Sequence, residues 1–292
     1  MKETRLFWRY GSNLTPTLNY RFNGKVRLNV QEHKLVEQLN SAGIAFASIE
    51  ELLKDEAEFA ILNSAVQELL ESRKEEIETL RLKANNSDVG SKTFNVELLG
   101  SELIFDPASI FARFALAHPF LNIADSYLGM GSKLRYYNVW KTFASTETAR
   151  ESQLWHFDRE DMYILKIFLY LDEVDDGAGP FTYAPGTHRK GKYSKLKPDH
   201  FLEGGVRRTT DEQMDAVYPK EKWMKAVGKK GAVIFADTRG YHKGGEARTR
   251  DRLMFTCMYT SPASESKRLI TYPKDLDLSN FSTRQRKALQ NK

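Results

Sequence analysis

A histidine and an aspartate two residues apart, His156 and Asp158, are the side chains of this chain best placed to do chemistry together. In an extended strand, positions i and i+2 point to the same face, so the imidazole and the carboxylate can reach one metal ion. A second, distant histidine would complete a two-histidine, one-carboxylate face that leaves coordination positions open for substrates. On its own the triplet is a weak signal, because His-x-Asp arises often by chance.

The best third ligand is His242, one of six histidines. It follows the glycine-led apolar strand 231–235 and precedes Lys243-Gly244-Gly245, where glycine allows close approach of the backbone. His188, in a Pro-Gly-Thr-His turn, is expected to be structural rather than a ligand. The remaining three are expected to be ordinary: His33, His118 and His200.

Three arginines follow His242 within ten residues: Arg248, Arg250 and Arg252. A guanidinium can hold a carboxylate through two parallel hydrogen bonds. Arg252 is favoured because it opens the next apolar strand, but Arg250 would share its face, so the choice stays open. With His156, Asp158 and His242 on iron(II), 2-oxoglutarate and dioxygen would fill the open positions, and the arginine would hold the distant carboxylate of 2-oxoglutarate.

Lys166 and Thr182 join Arg252 as candidates for binding the cofactor. Lys166 lies inside an apolar run, and a buried lysine needs a partner. It either faces the pocket, to bind 2-oxoglutarate or substrate, or its ammonium group escapes at the strand edge, and both readings remain open. Other residues that could line a pocket, but are more often core or turn, are Tyr136, Asn138, Trp140, Trp155 and Thr187.

Short strands must position these residues. Apolar and β-branched runs predict strands over 134–143, 164–171, 232–235 and 253–259, with glycine and proline turn signals between them. Many short strands separated by turns favour a sandwich or barrel over alternating strands and helices.

The first 130 residues are predicted to be mostly helical. Apolar spacing predicts a helix over 31–39, one bent helix or two over 52–83 after an N-cap at Ser48, and helix over 107–128 with a break at Pro119 and an end near Gly129 and Gly131. Residues 85–91 form a polar break, and a short surface helix is expected after residue 279.

Length and composition indicate the number of domains, the cellular location and whether a membrane span is expected. The length of 292 residues suits one domain, spanning 1–292. A single cysteine, Cys257, permits no internal disulfide, and residues 1–11 lack the apolar core of a signal peptide, so we expect a cytoplasmic protein. No uncharged apolar run of about 18 residues occurs, so no membrane span is expected.

The charge balance permits an anionic partner without requiring one. Lys and Arg number 44 against 39 acidic residues, a net charge of +5, which is small for this length. One basic run follows the Pro-Gly-Thr-His turn: Arg189, Lys190, Lys192, Lys195 and Lys197. Such a run is usually a solvated loop, but it would also attract a phosphorylated or carrier-linked small molecule. Nucleic acid is not expected, since aromatic and basic residues do not alternate.

Five blocks occur in a characteristic order across residues 134–262. They are Leu154-Trp155-His156-Phe157-Asp158, the run 165–174, Gly179-Pro180-Phe181, Pro185-Gly186-Thr187-His188, and 231–235 with Asp237, His242 and Arg252. In these blocks the chain resembles the phytanoyl-CoA dioxygenase family of iron(II)/2-oxoglutarate oxygenases. Five blocks in order are far more specific than any one alone.

The resemblance implies a double-stranded β-helix, a jelly-roll or cupin-like core, over 131–265, with a helical part at 1–130 and a tail or helix at 266–292. It implies iron held by His156, Asp158 and His242, with 2-oxoglutarate and dioxygen as cosubstrates. Hydroxylation of an unactivated C–H bond of a small molecule, with release of succinate and carbon dioxide, is the reaction it favours. Related halogenases replace the carboxylate by a small residue, so Asp158 favours hydroxylation over halogenation.

Other reactions and functions stay open. Desaturation, ring closure and epimerisation use the same cofactors. A non-catalytic cupin-like binding or regulatory protein, and an oxygenase acting on nucleic acid, are the alternatives to a small-molecule hydroxylase. The substrate and the oligomeric state cannot be read from the sequence.

Overall fold

A computed structural model describes residues 4–53, 56–84, 94–267 and 269–289. In these ranges the strands are β1 (Ile44–Ser48), β2 (Asn95–Glu97), β3 (Leu103–Ile104), β4 (Lys133–Thr142), β5 (Leu165–Tyr170), β6 (Phe181–Tyr183), β7 (Phe201–Glu203), β8 (Val206–Arg208), β9 (Met224–Lys225), β10 (Ala232–Asp237), β11 (His242–Gly244), β12 (Arg252–Thr260) and β13 (Ile270–Thr271).

The α-helices of the same ranges are α1 (Arg5–Phe7), α2 (Leu14–Asn19), α3 (Val30–Ser41), α4 (Ile49–Leu52), α5 (Glu56–Ser72), α6 (Lys74–Ala84), α7 (Ile110–Ala115), α8 (His118–Leu128), α9 (Asp211–Asp215) and α10 (Thr283–Leu289). Single π-helical turns at Trp8–Ser12 and Tyr20–Gly24 follow α1 and α2. Short 3-10 turns lie at Glu151–Gln153, Asp176–Ala178 and Lys220–Lys222. Among the described residues, no helix combines the length and the apolar character needed to cross a membrane.

The main sheet is antiparallel and has six strands in the order β1-β10-β5-β12-β4-β2. Its central strands alternate between two faces. Leu169, Phe255 and Val139 lie opposite one another across three strands and belong to the core shared with the helices. Since side chains of a strand alternate in direction, the intervening residues point to the other face, where the cavity lies.

A small sheet, β11-β6-β9, faces that second side. Phe168 on β5 and Phe181 on β6 pack with ring centroids 4.7 Å apart, and both belong to a buried cluster with Tyr183 and Ile234. The two sheets therefore enclose an apolar core between them, and the cavity opens at one end of it.

Helices cover the outer face of the main sheet. Leu35 and Leu39 on α3 and Phe120 on α8 are fully buried, and the ring of Phe120 meets Phe235 of β10 edge to face at 6.0 Å. This burial of one amphipathic stripe against one sheet face gives the layered arrangement that stabilises mixed folds.

The strands follow the sequence predictions closely, and the helices correct them in places. The helix predicted over 31–39 is α3, and the stretch 52–83 forms two helices, α5 and α6. The helical stretch 107–128 does break, but before Pro119 rather than at it. Pro119 occupies the first turn of α8, where a missing N–H costs nothing. The polar break predicted at 85–91 lies outside the described residues.

The helical first part also contributes strands. Ser48 caps a helix as predicted, with Glu51 completing a capping box, yet the helix that follows is only four residues long. Just before it, β1 pairs with β10 at one edge of the main sheet, and β2 pairs with β4 at the other. The prediction of a mostly helical segment missed both edges, because a five-residue and a three-residue strand leave little periodicity to detect.

Candidate metal centre

Two of the candidate residues, His156 and His242, face each other across a backbone bridge. His156 N donates to His242 O at 2.9 Å, and His242 N donates to His156 O at 2.9 Å. Their ring centroids are 4.3 Å apart. Asp158 N donates to Thr238 O at 2.8 Å, so Asp158 is also held against the segment that leads to His242. The pairing of 156–158 with the β10–β11 region thus brings together His156 and His242, which are 86 positions apart in the chain.

One ligand atom from each of His156, Asp158 and His242 lies within 4.8 Å of those of the other two. In both histidines, Nδ1 lies on a backbone carbonyl, at 2.8 Å from Leu154 O and 3.0 Å from Gly240 O. A carbonyl can only accept, so Nδ1 carries the proton and Nε2 is left with its lone pair. The backbone therefore selects the tautomer that a metal ligand needs.

Burial keeps both imidazoles neutral. It lowers the pKa of His242 to about 4. It also lowers the pKa of His156 well below its usual value, with the neighbouring His242 adding to the effect. A neutral ring binds a cation without first losing a proton.

Asp158 is paired with Lys166, whose ammonium nitrogen lies 2.7 Å from Oδ2. Burial alone would raise the pKa of the carboxyl, but the Lys166 ammonium, joined at low pH by the protonated forms of the two histidines, outweighs it and brings the pKa well below its usual range. In turn, burial would lower the pKa of Lys166, and the carboxylate more than compensates. Lys166 faces the cavity, not the strand edge, and its described ionic partner is the aspartate.

The three arginines after His242 have distinct surroundings. Arg248 lies at the surface with Glu246, and Arg250 pairs with Asp175 at 2.9 Å. Arg252 is buried in the cavity wall, where Nη2 donates to Thr142 Oγ1 at 3.3 Å, while Nε and Nη1 have no hydrogen-bond partner among the described residues. A buried guanidinium with two unused donors is costly unless an acceptor joins it.

Thr182 is not brought to the cavity. Its hydroxyl donates to Pro180 O at 3.2 Å, and the residue pairs with Lys243 and Lys225 across the small sheet. The neighbouring Phe181 lines the cavity instead. Because side chains alternate along β6, only one of the two adjacent residues can face inward, and the sequence did not show which.

Other candidates divide between pocket and scaffold. Tyr136, Asn138 and Trp140 of β4 line the cavity, and the Tyr136 and Trp140 rings stack with centroids 6.2 Å apart. Trp155 is buried against Trp223, and its indole donates to Asp211. Thr187 donates to Ala184 O within its turn.

His188 and the other histidines stay outside the cluster of three. His188 is fully buried, 3.3 Å from Asn40 O, as expected of a structural residue. Neither it nor His33, His118 or His200 belongs to the group of possible ligands found among the described residues.

The cavity beside the three residues has a volume of about 600 Å³. That is large enough for a small substrate together with a cosubstrate of a few carbons. Arg208 also lines it and is buried against Glu151 and Glu203, at 3.4 and 3.7 Å. Sequence reasoning missed Arg208, because it lies in a short hairpin, β7–β8, with no motif to distinguish it.

Comparison with known proteins places this geometry in context. The sequence model of the phytanoyl-CoA dioxygenase family matches residues 46–254. Among solved structures, the epimerase SnoN in complex with Fe3+, alpha ketoglutarate and nogalamycin RO is similar, with 18% identity over 79% of this chain and 84% of its own, at a TM-score of 0.52.

Two more solved structures share the fold at the same TM-score of 0.52. EctD from S. alaskensis, solved with 2-oxoglutarate and 5-hydroxyectoine, is 17% identical over 88% of this chain and 85% of its own. AviO1 from Streptomyces viridochromogenes Tue57 is 17% identical over 82% of this chain and 100% of its own. No curated protein sequence matches at a significant level.

Proposed function

We propose that this chain, which belongs to the phytanoyl-CoA dioxygenase family, is an iron(II)- and 2-oxoglutarate-dependent oxygenase that hydroxylates a small molecule. One observation carries the proposal. Three ligand atoms converge within 4.8 Å at a cavity whose wall holds a buried guanidinium with two unused donors. The three ligand atoms suit a metal ion, and the guanidinium suits a carboxylate.

The residues present fit the metal. Nε2 of His156, Nε2 of His242 and a carboxylate oxygen of Asp158 would hold it, and two imidazoles with one carboxylate suit iron(II) with coordination positions left open. Lys166, at 2.7 Å from Asp158 Oδ2, would orient the carboxylate.

The residues also fit the cosubstrate. Arg252 would hold its distant carboxylate through Nε and Nη1, the two donors that lack a partner. Iron with 2-oxoglutarate supplies oxidative chemistry that no side chain can provide, with succinate and carbon dioxide as coproducts. The chain's own part is to bind and orient the reactants and to exclude water. Phe168, Met254 and the stacked Tyr136 and Trp140 form the apolar walls that do so.

We infer that the two facing sheets form a double-stranded β-helix. The support is the antiparallel pairing within both sheets, the core shared by Phe168 and Phe181, and the bridge between His156 and His242 at the open end. A single domain spanning 1–292 and a cytoplasmic location stay predictions from the sequence.

The test is an anaerobic titration of the full chain with iron(II) and 2-oxoglutarate, following the weak visible charge-transfer band of their complex. We expect the band in the native protein, its loss in His156→Ala, and at least about tenfold weaker 2-oxoglutarate binding in Arg252→Gln, where two charge-assisted hydrogen bonds are removed. Arg250→Gln, two residues away and at the surface, is the matched control and should bind normally.

No band in well-folded native protein would overturn the proposal and favour a non-catalytic binding protein. Equal weakening in Arg250→Gln and Arg252→Gln would show that Arg252 has no special role in holding the cosubstrate.

A further inference from the structure

We propose that a second cavity beside the metal centre binds a phosphate group carried by the substrate. This inference rests on the proposed function, since it names the class of molecule that the oxygenase would oxidise. The second cavity, here called the basic vestibule, has a volume of about 1290 Å³ and is lined by five cationic side chains: Arg159, Arg189, Lys197, Arg207 and Arg239.

The five cations of the vestibule are not held in ion pairs within the described residues, although Asp237, Asp158 and Glu160 attract the charge of Arg239. None of them forms a salt bridge with a residue in the described ranges. Two of the acidic residues in the same lining are engaged elsewhere. Glu160 lies 3.5 Å from Arg135, and Asp161 accepts hydrogen bonds from Trp8 Nε1 and Ser261 N. The third, Glu265, is exposed. The lining of the cavity therefore carries more positive than negative charge, with five cationic against three acidic side chains.

Arg239 lies deepest among the five. Its Nη1 donates to Asp158 O at 2.7 Å, while its Nε is buried without a partner. Arg189 lies near enough to repel the charge of Arg239, so two like charges are held together here. An oxyanion would supply the missing acceptor and offset the repulsion, and guanidinium groups match its geometry.

The vestibule adjoins the metal centre. Both cavities are lined by Phe157, Arg159, Glu160 and Ser266. Phe157 stands in the chain between His156 and Asp158, and the guanidinium carbons of Arg159 and Arg239 lie 5.5 and 5.3 Å from its ring centroid. A substrate with its phosphate among the arginines could therefore extend past Phe157 to the three candidate ligands.

The shape of the vestibule favours a small molecule over a polynucleotide. Its cations converge on one cavity that also has aromatic walls, Trp8, Phe157 and Tyr241. Single-stranded nucleic acid needs an extended groove that follows the backbone, with aromatic platforms along it. Binding energy from a remote phosphate would serve to orient the reacting carbon.

The experiment uses inorganic pyrophosphate as the probe, titrated calorimetrically into the metal-free full chain. We expect saturable binding in the native protein and at least about tenfold weaker binding in the double variant Arg189→Gln/Arg207→Gln, since each removes charge-assisted hydrogen bonds. Both residues are exposed, so the fold should persist. Lys229→Gln/Lys230→Gln removes the same charge at exposed positions outside the vestibule and should change affinity by less than about twofold.

Four results would overturn the inference, three from pyrophosphate and one from an oligonucleotide. One is no saturation in the native protein, and another is equal weakening by the two double variants, which would mean diffuse attraction only. The third is loss of binding in Arg252→Gln, which would place the probe in the metal cavity. A single-stranded oligonucleotide is titrated in parallel, and tighter binding than pyrophosphate with a steep salt dependence would point to nucleic acid instead.

The charge-transfer band measured on the same samples separates the two proposals. A band in native protein that binds no pyrophosphate would overturn only the phosphate site. Pyrophosphate binding without a band would leave the vestibule in place and remove the oxygenase.

Discussion

The role of Lys166 is defined by the neighbouring carboxylate of Asp158, with which it forms an ion pair. From the sequence it was a candidate for binding the cofactor or an edge lysine, whereas the structure places it 2.7 Å from Asp158 Oδ2 inside the cavity. Without a metal, the ion pair neutralises a buried carboxylate. With one, the same contact would fix the orientation of that carboxylate.

We predict that Lys166→Met destabilises the metal-free protein by about 3 kcal/mol, because removing one partner leaves a buried charge uncompensated. A bound divalent cation would restore the compensation. The rise in melting temperature on adding Mn(II), measured by calorimetry, should therefore be larger in Lys166→Met than in the native protein.

Lys141→Met on β4, which is separated from β5 by β12 in the same sheet, is the matched control. Lys141 lies 3.0 Å from Asp251, but Asp251 also pairs with Arg81, so the carboxylate keeps a partner. This variant should cost about 1 kcal/mol or less and leave the Mn(II) effect unchanged. If the Mn(II) effect in Lys166→Met equals that of the native protein, Asp158 is not a metal ligand.

Elements position the site through close backbone contacts, and one of them lies at the turn before β6. Gly179 has a φ of 68°, and a Cβ added there would lie 2.5 Å from the backbone of Gly245 and Glu246. These residues follow β11, which begins with His242. The Gly-Pro-Phe block seen in the sequence thus holds the two strands of the small sheet together at the Gly244 end of β11, two residues beyond His242.

We predict that Gly179→Ala lowers the free energy of unfolding by about 2–4 kcal/mol, from a left-handed φ and from backbone overlap. It should also weaken Mn(II) binding, because relief of the overlap moves β11. Chemical denaturation and metal titration measure the two effects.

Gly205→Ala is the control that separates the cost of a left-handed φ from the cost of backbone overlap. Gly205 has a φ of 76°, yet nothing lies within 4 Å of an added Cβ. We expect a cost of about 1 kcal/mol and unchanged Mn(II) binding. Similar losses of stability in the two variants would mean that the turn at Gly179 relaxes freely and does not position His242.

At the scale of the whole molecule, charge is distributed unevenly. A net charge of +5 is modest, but five cations without salt bridges to described residues converge on one cavity next to the candidate metal centre. Of the basic run after the Pro-Gly-Thr-His turn, Arg189 and Lys197 line that cavity, whereas Lys190 turns inward and donates to Tyr127 O at 2.7 Å. The run is therefore not one functional unit.

The stability of the metal-free protein should depend on pH through its buried histidines. The pKa of His242 is about 4 in the folded chain against 6.5 ordinarily. The unfolded chain thus binds more protons between these values, so the contribution is complete above pH 6.5 and is lost as pH falls towards 4. The difference corresponds to roughly 3 kcal/mol.

Urea denaturation at pH 7 and pH 4.5 measures this loss. We predict a smaller loss in His242→Gln than in the native protein, while His33→Gln, which changes an exposed histidine on α3, should show the full native loss. An identical loss in all three proteins would mean that His242 is not buried in the neutral form.

The sequence by itself determined which residue types are present and how apolar residues are spaced along each helix and strand. His156, Asp158 and His242 stood out because their chemistry and the blocks around them are specific, and the central strands were recognised because apolar runs are a strong local signal. The family match over 46–254 confirms the resemblance to the phytanoyl-CoA dioxygenase family that these blocks carry.

Only the tertiary structure decided which side chains meet. It placed Arg252 in the cavity and Arg250 at the surface, turned Thr182 away and paired Lys166 with Asp158. It also brought β1 and β2 to the edges of the main sheet and gathered the vestibule arginines from separate loops. A strand's local pattern fixes the alternation of its faces but not which face turns inward, and contacts between distant segments leave no trace in local spacing.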